Sequence, residues 1–375
     1  MRVAYLTTEA TSKAGWGRYS VEVIKGMRGL GIDPVLITHS PNLDPALADI
    51  EQHVILPPVL AYRFSTPRSL LYTPRLRSIL ATCDLAHCLV ELYAPLTALA
   101  CYPQRPFVTV AHGTWAVRPL ESRVSRWLFA PALRRAKSVI CLSRFTQQWI
   151  ERLITLPNSL VLTGGVTLSD YDRPVQASLP RWAESKKIAL TSAGAFKQRK
   201  GQHVTLEAIA QARQQIPDLH WVLTGDPTQN PSYSQPLQQR IADLGLTEYV
   251  HFVGLVSQEE LVVWYQRADV FVLNSLNDGS SFEGLGMVYL EAGAVGTPSI
   301  GSWNCGAEAA IIDGVSGFLV PQGDSEATAQ ALIRLLSDSA LYQRMSAAAR
   351  QQAHTLSWAT LCQRLLTIYQ AAIEP

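Results

Sequence analysis

Glu283 and Glu291 stand eight residues apart and bracket a glycine-containing apolar run, EGLGMVYLE. Carboxylates accept hydrogen bonds from hydroxyl groups. Glycines such as Gly284 and Gly286 let a ligand approach the backbone. Where such a run enters a helix, its free N–H groups and the positive end of the helix dipole make a seat for a diphosphate. Eight helical residues span about 12 Å, the length over which a nucleoside diphosphate carries a sugar at one end and a ribose at the other. A cationic set, Lys197, Arg199 and Lys200, precedes Gly201. Between a strand and a helix, such side chains clamp phosphate oxygens. His112 follows the apolar run FVTVA, so it sits where ligands gather in open α/β sheets, beyond a strand's C-terminal end. Gly15 and Gly17 would expose N–H groups near another helix start, a further place for phosphate.

These residues need strands whose C-terminal ends converge. Apolar runs at 3–6, 34–38, 85–90, 107–111, 139–142 and 158–162 read as strands of a first half. Those at 188–193, 220–224, 250–254, 269–273, 299–301 and 317–321 read as strands of a second. Amphipathic runs lie between them, including 287–295, 325–336, 340–354 and 358–371. The alternation predicts an α/β fold of two parallel, doubly wound sheets. Ser143, ahead of a helix start, is read as an N-cap. Pro174 and Pro180 in a stretch of little periodicity predict a linker over 174–186, between a domain at 1–173 and another at 187–357.

A chain of 375 residues, 47% hydrophobic, has ample material for two cores. No apolar run approaches the length of a membrane-spanning helix. The opening MRVAYLTTEA enters a strand pattern directly, without the anatomy of a signal peptide. The six cysteines lack C-x2-C spacing. The expected location is therefore cytoplasmic, with reduced thiols and no zinc site. Residues 1–180 carry 19 Lys and Arg against 12 Asp and Glu, and residues 181–375 carry 13 against 18. The first half is thus suited to an anionic partner. Its arginines (Arg63, Arg68, Arg75 and Arg77, then Arg123, Arg126, Arg134 and Arg135) lie among Tyr62, Phe64, Leu70, Leu71, Tyr72, Trp127, Leu128 and Phe129. That mixture suits a phosphorylated acceptor or peripheral contact with the inner face of a membrane.

The 283–291 run, followed by AGAVGTP, closely resembles the E-x7-E signature of retaining glycosyltransferases of the GT-B fold, family 4 (group 1) type. The segment Gly15-Trp16-Gly17-Arg18-Tyr19 resembles their N-terminal glycine loop, and Lys200-Gly201 matches their diphosphate-binding lysine. The resemblance covers nearly the whole chain and is strongest after residue 185. It implies two Rossmann-like domains facing each other across a cleft, with a C-terminal helix at 358–373 packing back on the first domain. It implies a hexosyl transfer from a nucleotide-diphosphate sugar to an acceptor (a glycan, a lipid-linked or a small molecule), with retention of configuration and neither metal nor other cofactor. Lys200, assisted by Arg199 or Lys197, would stabilise the departing diphosphate. Glu283 would hold sugar hydroxyls, Glu291 the ribose, and Gly15, Gly17, Gly284, Leu285 and Gly286 would line the donor. Val253 and Gly254 would meet the base, and His112 would position the sugar.

The chain departs from the family pattern at several points. Ala195 stands where the family commonly carries Arg. The 275–283 loop is about five residues longer than usual. Asn304-Cys305-Gly306 replaces a Gly-Gly pair before Glu308, and Gly164 and Thr167 depart from an N-G-V-D segment. Asp170-Tyr171-Asp172 is formally D-x-D but falls at the linker, and is read as coincidence. Two other readings compete. A nucleotide-sugar epimerase would need several acid–base groups around the sugar, where His112 is the main one found. A noncatalytic nucleotide-sugar-binding subunit would bind donor without turnover. No complete G-x-G-x-x-G opens a βαβ unit, which argues against a dinucleotide dehydrogenase, and no nucleic-acid-binding module is recognised.

Overall fold

A computed structural model describes residues 1–11, 15–59, 71–172 and 179–374. The chain forms two compact units, Met1–Gly164 with Trp358–Pro375, and Gly165–Ser357. The first is built on seven strands: β1 (Arg2–Thr7), β2 (Asp33–Thr38), β3 (Glu51–Val54), β4 (Leu85–Cys88), β5 (Phe107–Ala111), β6 (Ser138–Cys141) and β7 (Ser159–Val161). Their order is β3-β2-β1-β4-β5-β6-β7, and every pairing is parallel. Helices on both faces require central strands that are apolar throughout, and β4 and β5 are buried at every position. The order reverses between β1 and β4, so the loops leaving these strands diverge and open a crevice at the sheet's C-terminal edge.

Sequence patterning missed β3, EQHV, in which three of the four residues are polar and all are at least partly exposed. It is an edge strand held by charge. Arg2 pairs with both Asp33 and Glu51, and His53 lies 2.7 Å from Glu51. Ser143 caps the helix Arg144–Leu153, accepting the Thr146 N–H at 3.2 Å. The helix Trp358–Ile373 belongs to this first unit. Its Trp358 meets Tyr19 edge-on at 5.3 Å, and its Tyr369 hydroxyl lies 2.5 Å from His87 Nδ1.

The second unit holds β8 (Lys187–Ala195), β9 (Leu219–Asp226), β10 (Val250–Gly254), β11 (Val270–Leu273), β12 (Ser299–Ser302) and β13 (Gly317–Val320). The order is β10-β9-β8-β11-β12-β13, again parallel, with the reversal between β8 and β11. Trp221 anchors the core on one face, and Tyr265, Phe271 and Tyr289 anchor the other.

The boundary falls at residue 164 rather than 173. Val166 bridges to Ser357, and Tyr171 packs in the second core, 6.3 Å from Tyr265. Nor are residues 179–186 a loose linker. A 3-10 turn, Arg181–Ser185, buries Ala183 and stacks Trp182 on His251 at 3.8 Å. The rest of that expected linker, at 174–178, lies outside the described residues, as do Tyr62, Arg63, Phe64, Arg68 and Leu70. Among the described residues no helix is long and apolar enough to cross a membrane.

Candidate functional site

Two groups of side chains occupy the two switch points. In the second unit, β8 ends at Ala195 and the chain passes Lys197 into a 3-10 turn, Gln198–Lys200. Gly201 then adopts φ +64° and opens the helix Gln202–Ala212. A Cβ at Gly201 would collide with the Asn274 carbonyl, so glycine is required twice, for the left-handed backbone and for the close approach. That approach lays the loop after β8 against the loop after β11, where the Leu276 N–H donates to the Arg199 carbonyl at 2.8 Å. Three donors then converge on Glu283 Oε2: Lys200 Nζ at 2.7 Å, Arg199 at 3.3 Å and Ser275 Oγ at 3.4 Å. Burial by itself would push the Glu283 carboxyl up, but Lys200 and Arg199 outweigh it and bring it down to about 2. Lys197 is lowered, by loss of water first and then by repulsion from Arg199 and Lys200. Three cations thus share one carboxylate beside a helix N-terminus, a surplus of positive charge that suits an anion.

Glu283 precedes the helix rather than riding on it. Gly286, at φ +74°, turns the chain into the helix Met287–Ala294, so the eight-residue spacing from Glu283 to Glu291 is a loop plus about one helical turn, not a continuous 12 Å rod. Glu291 is buried and accepts the Tyr265 hydroxyl at 2.9 Å. Leu285 and Gly286 are buried, while Gly284 is half-buried beside Glu283. Val253 and Gly254 lie at the end of edge strand β10, two strands from β8, where pairing with β9 shifts register and Gly254 takes φ +74°. They share the rim of the sheet with the cation cluster rather than joining it. The Ala195 carbonyl accepts Gln202 Nε2 at 3.0 Å.

The sequence departures around Glu283 are fastened to one another. The Gly306 N–H donates to the Glu283 carbonyl at 2.6 Å. Gln322 Oε1 accepts the Asn277 N–H at 2.8 Å, while its Nε2 donates to Trp303 and Asn304 carbonyls at 2.8 and 3.2 Å. Asn277 Nδ2 also donates to the Asn304 carbonyl, at 2.7 Å. Asn304 adopts φ +57°, a conformation Asn tolerates better than most residues. Gln322 therefore ties the extended loop to the Asn304-Cys305 replacement, a role that sequence reasoning missed.

In the first unit His112 leaves β5 beside Glu91, which leaves the neighbouring strand β4. Glu91 Oε2 lies 2.8 Å from His112 Nδ1, and its Oε1 accepts the His112 backbone N–H at 3.3 Å. Glu91 is buried to 1% exposure. The edge of Tyr19 meets the imidazole at 4.8 Å and Trp16 at 6.4 Å. Both rings sit on the helix Gly15–Gly29, so the glycine segment reaches His112 through its aromatics. Gly17 has no room for a Cβ because the Thr11 carbonyl packs on it. His112 Nε2 is buried without a hydrogen-bond partner. A carboxylate only accepts, so it places the ring proton on Nδ1 and leaves Nε2 as the acceptor of the neutral ring. In Glu91→Gln the amide oxygen still accepts the His112 backbone N–H, so the NH2 faces Nδ1 and the preference is expected to reverse. The measurement is 15N NMR of His112, where the neutral wild type should show the Nδ1–H tautomer and the variant the Nε2–H tautomer.

Two family models match the chain: Glycosyltransferase Family 4 over residues 14–169 and Glycosyl transferases group 1 over residues 178–352. The D-inositol 3-phosphate glycosyltransferase of Streptomyces griseus is 33% identical over 218 residues, 55% of this chain and 45% of that protein. The GDP-mannose-dependent alpha-(1-6)-phosphatidylinositol monomannoside mannosyltransferase of Mycolicibacterium smegmatis is 34% identical over 179 residues, 47% of this chain and 46% of its own. The chain spans about half the length of the curated relatives it matches. A glycosyltransferase from Rickettsia africae superposes with a TM-score of 0.81 at 20% identity, covering 100% of this chain and 98% of that one. HepE of Anabaena, solved with UDP and glucose, gives 0.78 at 19% identity, covering 99% and 100%. At these identities the two solved structures speak for the fold.

Proposed function

Because the chain belongs to the group 1, family 4 glycosyltransferases, with the GT-B fold, we propose that it transfers a sugar from a nucleotide-diphosphate sugar to a hydroxyl acceptor. The observation that carries this reading is the convergence of Lys200 and Arg199 on Glu283 at the β8/β11 switch point. The donor diphosphate takes the surplus positive charge of Lys197, Arg199 and Lys200 beside the N-terminus of the helix Gln202–Ala212, whose dipole favours an anion. Lys200 and Arg199 both bind Glu283 Oε2, which leaves Oε1 to accept from sugar hydroxyls. Glu291, steadied by Tyr265, takes the ribose, and the backbone at Val253 and Gly254 meets the base. His112 accepts a substrate hydroxyl at Nε2.

In the transfer, the bond from the anomeric carbon to the diphosphate oxygen breaks with its electron pair leaving on the phosphate. A bond to the acceptor oxygen forms on the same face, and the acceptor proton passes to the departing phosphate. The cations stabilise that charge, and the reaction proceeds with retention and without a metal. The basic first half favours a phosphorylated or lipid-linked acceptor, in keeping with the inositol-phosphate and phosphatidylinositol substrates named for the relatives.

The test is thermal shift against UDP-, GDP- and ADP-sugars, with Mg²⁺ or with EDTA, followed by assay of nucleoside diphosphate release. The expected result is stabilisation by one base class, equal in EDTA, with slow release that acceptor accelerates. Proton NMR of the product should show the donor's anomeric configuration. No shift with any donor would overturn the reading. Isomerised donor without acceptor would indicate an epimerase, and binding without turnover a noncatalytic subunit. In Glu91→Gln, release is expected to fall about tenfold through reversal of the His112 tautomer, with thermal unfolding little changed.

A further inference from the structure

The helix Arg123–Arg135 carries its buried residues, Phe129, Ala130, Ala132 and Leu133, on one side. Its outer stripe reads Arg123, Val124, Trp127, Pro131 and Arg134, spaced so that all lie on one face. Trp127 is 82% exposed and Val124 73%. The helix Ala94–Ala100 beside it adds Leu99, at 40%, and Tyr102 follows at 64%. Between them runs an apolar groove lined by Pro95, Leu99, Tyr102, Trp127, Pro131 and Arg135. Arg135 is locked at its end, donating to the Ala98 and Cys101 carbonyls and lying 5.5 Å over the Tyr102 ring. Residues 92–150 hold eight Lys and Arg against one acidic residue, Glu121.

We propose that this face docks on an anionic lipid bilayer. Trp127 and Val124 enter the boundary between headgroups and acyl chains, while Arg123 and Arg134 meet lipid phosphates. An indole and an aliphatic side chain held in water alongside arginines have the composition of an interfacial helix, apolar at the boundary and cationic at the headgroups. A bilayer supplies the apolar depth and the negative charge together. A second copy of this chain would bring the same excess of cations against itself, which opposes self-association. The inference stands on this surface alone and is independent of the proposed transfer.

The experiment is flotation of the full chain with vesicles of phosphatidylcholine alone and of phosphatidylcholine with phosphatidylglycerol, at low and high salt. Recovery is expected with the anionic vesicles and should fall as salt screens the attraction. Val124→Ser with Trp127→Ser should weaken vesicle binding by about tenfold, and Arg123→Gln by about fivefold. These side chains are exposed, so thermal unfolding and any nucleotide-induced shift should match wild type in both variants. No recovery with anionic vesicles would overturn the proposal, as would equal recovery with phosphatidylcholine alone or undiminished binding of the double variant. Concentration-dependent dimerisation abolished by the double variant would instead assign the face to a second copy.

Discussion

Lys200→Ala is expected to lower nucleoside diphosphate release by about 10²- to 10³-fold at saturating donor. Lys200 Nζ makes the shortest contact of the cluster, 2.7 Å to Glu283, and its side chain is only 12% exposed. In so sheltered a position a charge acts on a developing anion far more strongly than it would in water. Arg199 does not substitute for it. Arg199 reaches the same oxygen at 3.3 Å, and its backbone carbonyl is bound to Leu276, which fixes the chain at that residue. The loss should fall mainly on turnover, because the charge on the leaving group grows as the bond breaks. Lys200→Arg should recover part of the rate, since it restores the charge but not the compact ammonium. Wild-type turnover in Lys200→Ala would remove the lysine from the proposed site. The variant should remain folded, because Glu283 keeps Arg199 and Ser275 as partners.

Glu283→Gln should depress turnover by about 10²-fold while binding nucleoside diphosphate alone more tightly than wild type. The carboxylate competes with the ligand for Lys200 and Arg199, and its removal leaves three cations to the phosphates. Isothermal titration separates the two effects, and weaker diphosphate binding in the variant would refute the cluster's role. The same substitution has a signature in acid. The folded-state value of about 2 lies below the ordinary 4.5. The stabilisation, about 3 kcal/mol from the size of that difference, is therefore fully present above the ordinary value and lost as pH falls through the folded one. Wild-type urea stability should decline across that window, and Glu283→Gln should lack that part of the decline.

Much of this protein could be read from the chain itself. Strands buried on both faces must be apolar runs, and ligand-binding residues gather beyond their C-terminal ends. That rule places Lys200 after β8, Glu283 after β11 and His112 after β5, all from local pattern. It fails for β3, because an edge strand carrying Glu51 and His53 has no apolar run to detect. The helical run expected at 287–295 is present, but a 12 Å helical length for the glutamate pair is not, because Glu283 lies in the loop ahead of the left-handed Gly286.

Partnership was beyond sequence. Glu91 and His112 are 21 residues apart and meet because β4 and β5 are neighbours. Gln322 and Asn277 are 45 residues apart, and Lys200 and Glu283 are 83 apart, meeting where β8 and β11 lie side by side. Likewise the arginine-rich segment around Trp127 did not say which aromatic faces outward. Packing buried Phe129 and left Trp127 in water. Periodicity records only which face of an element is apolar. Which strand lies beside which is set by the packing of whole layers, and that adjacency selected the partners of each charged side chain.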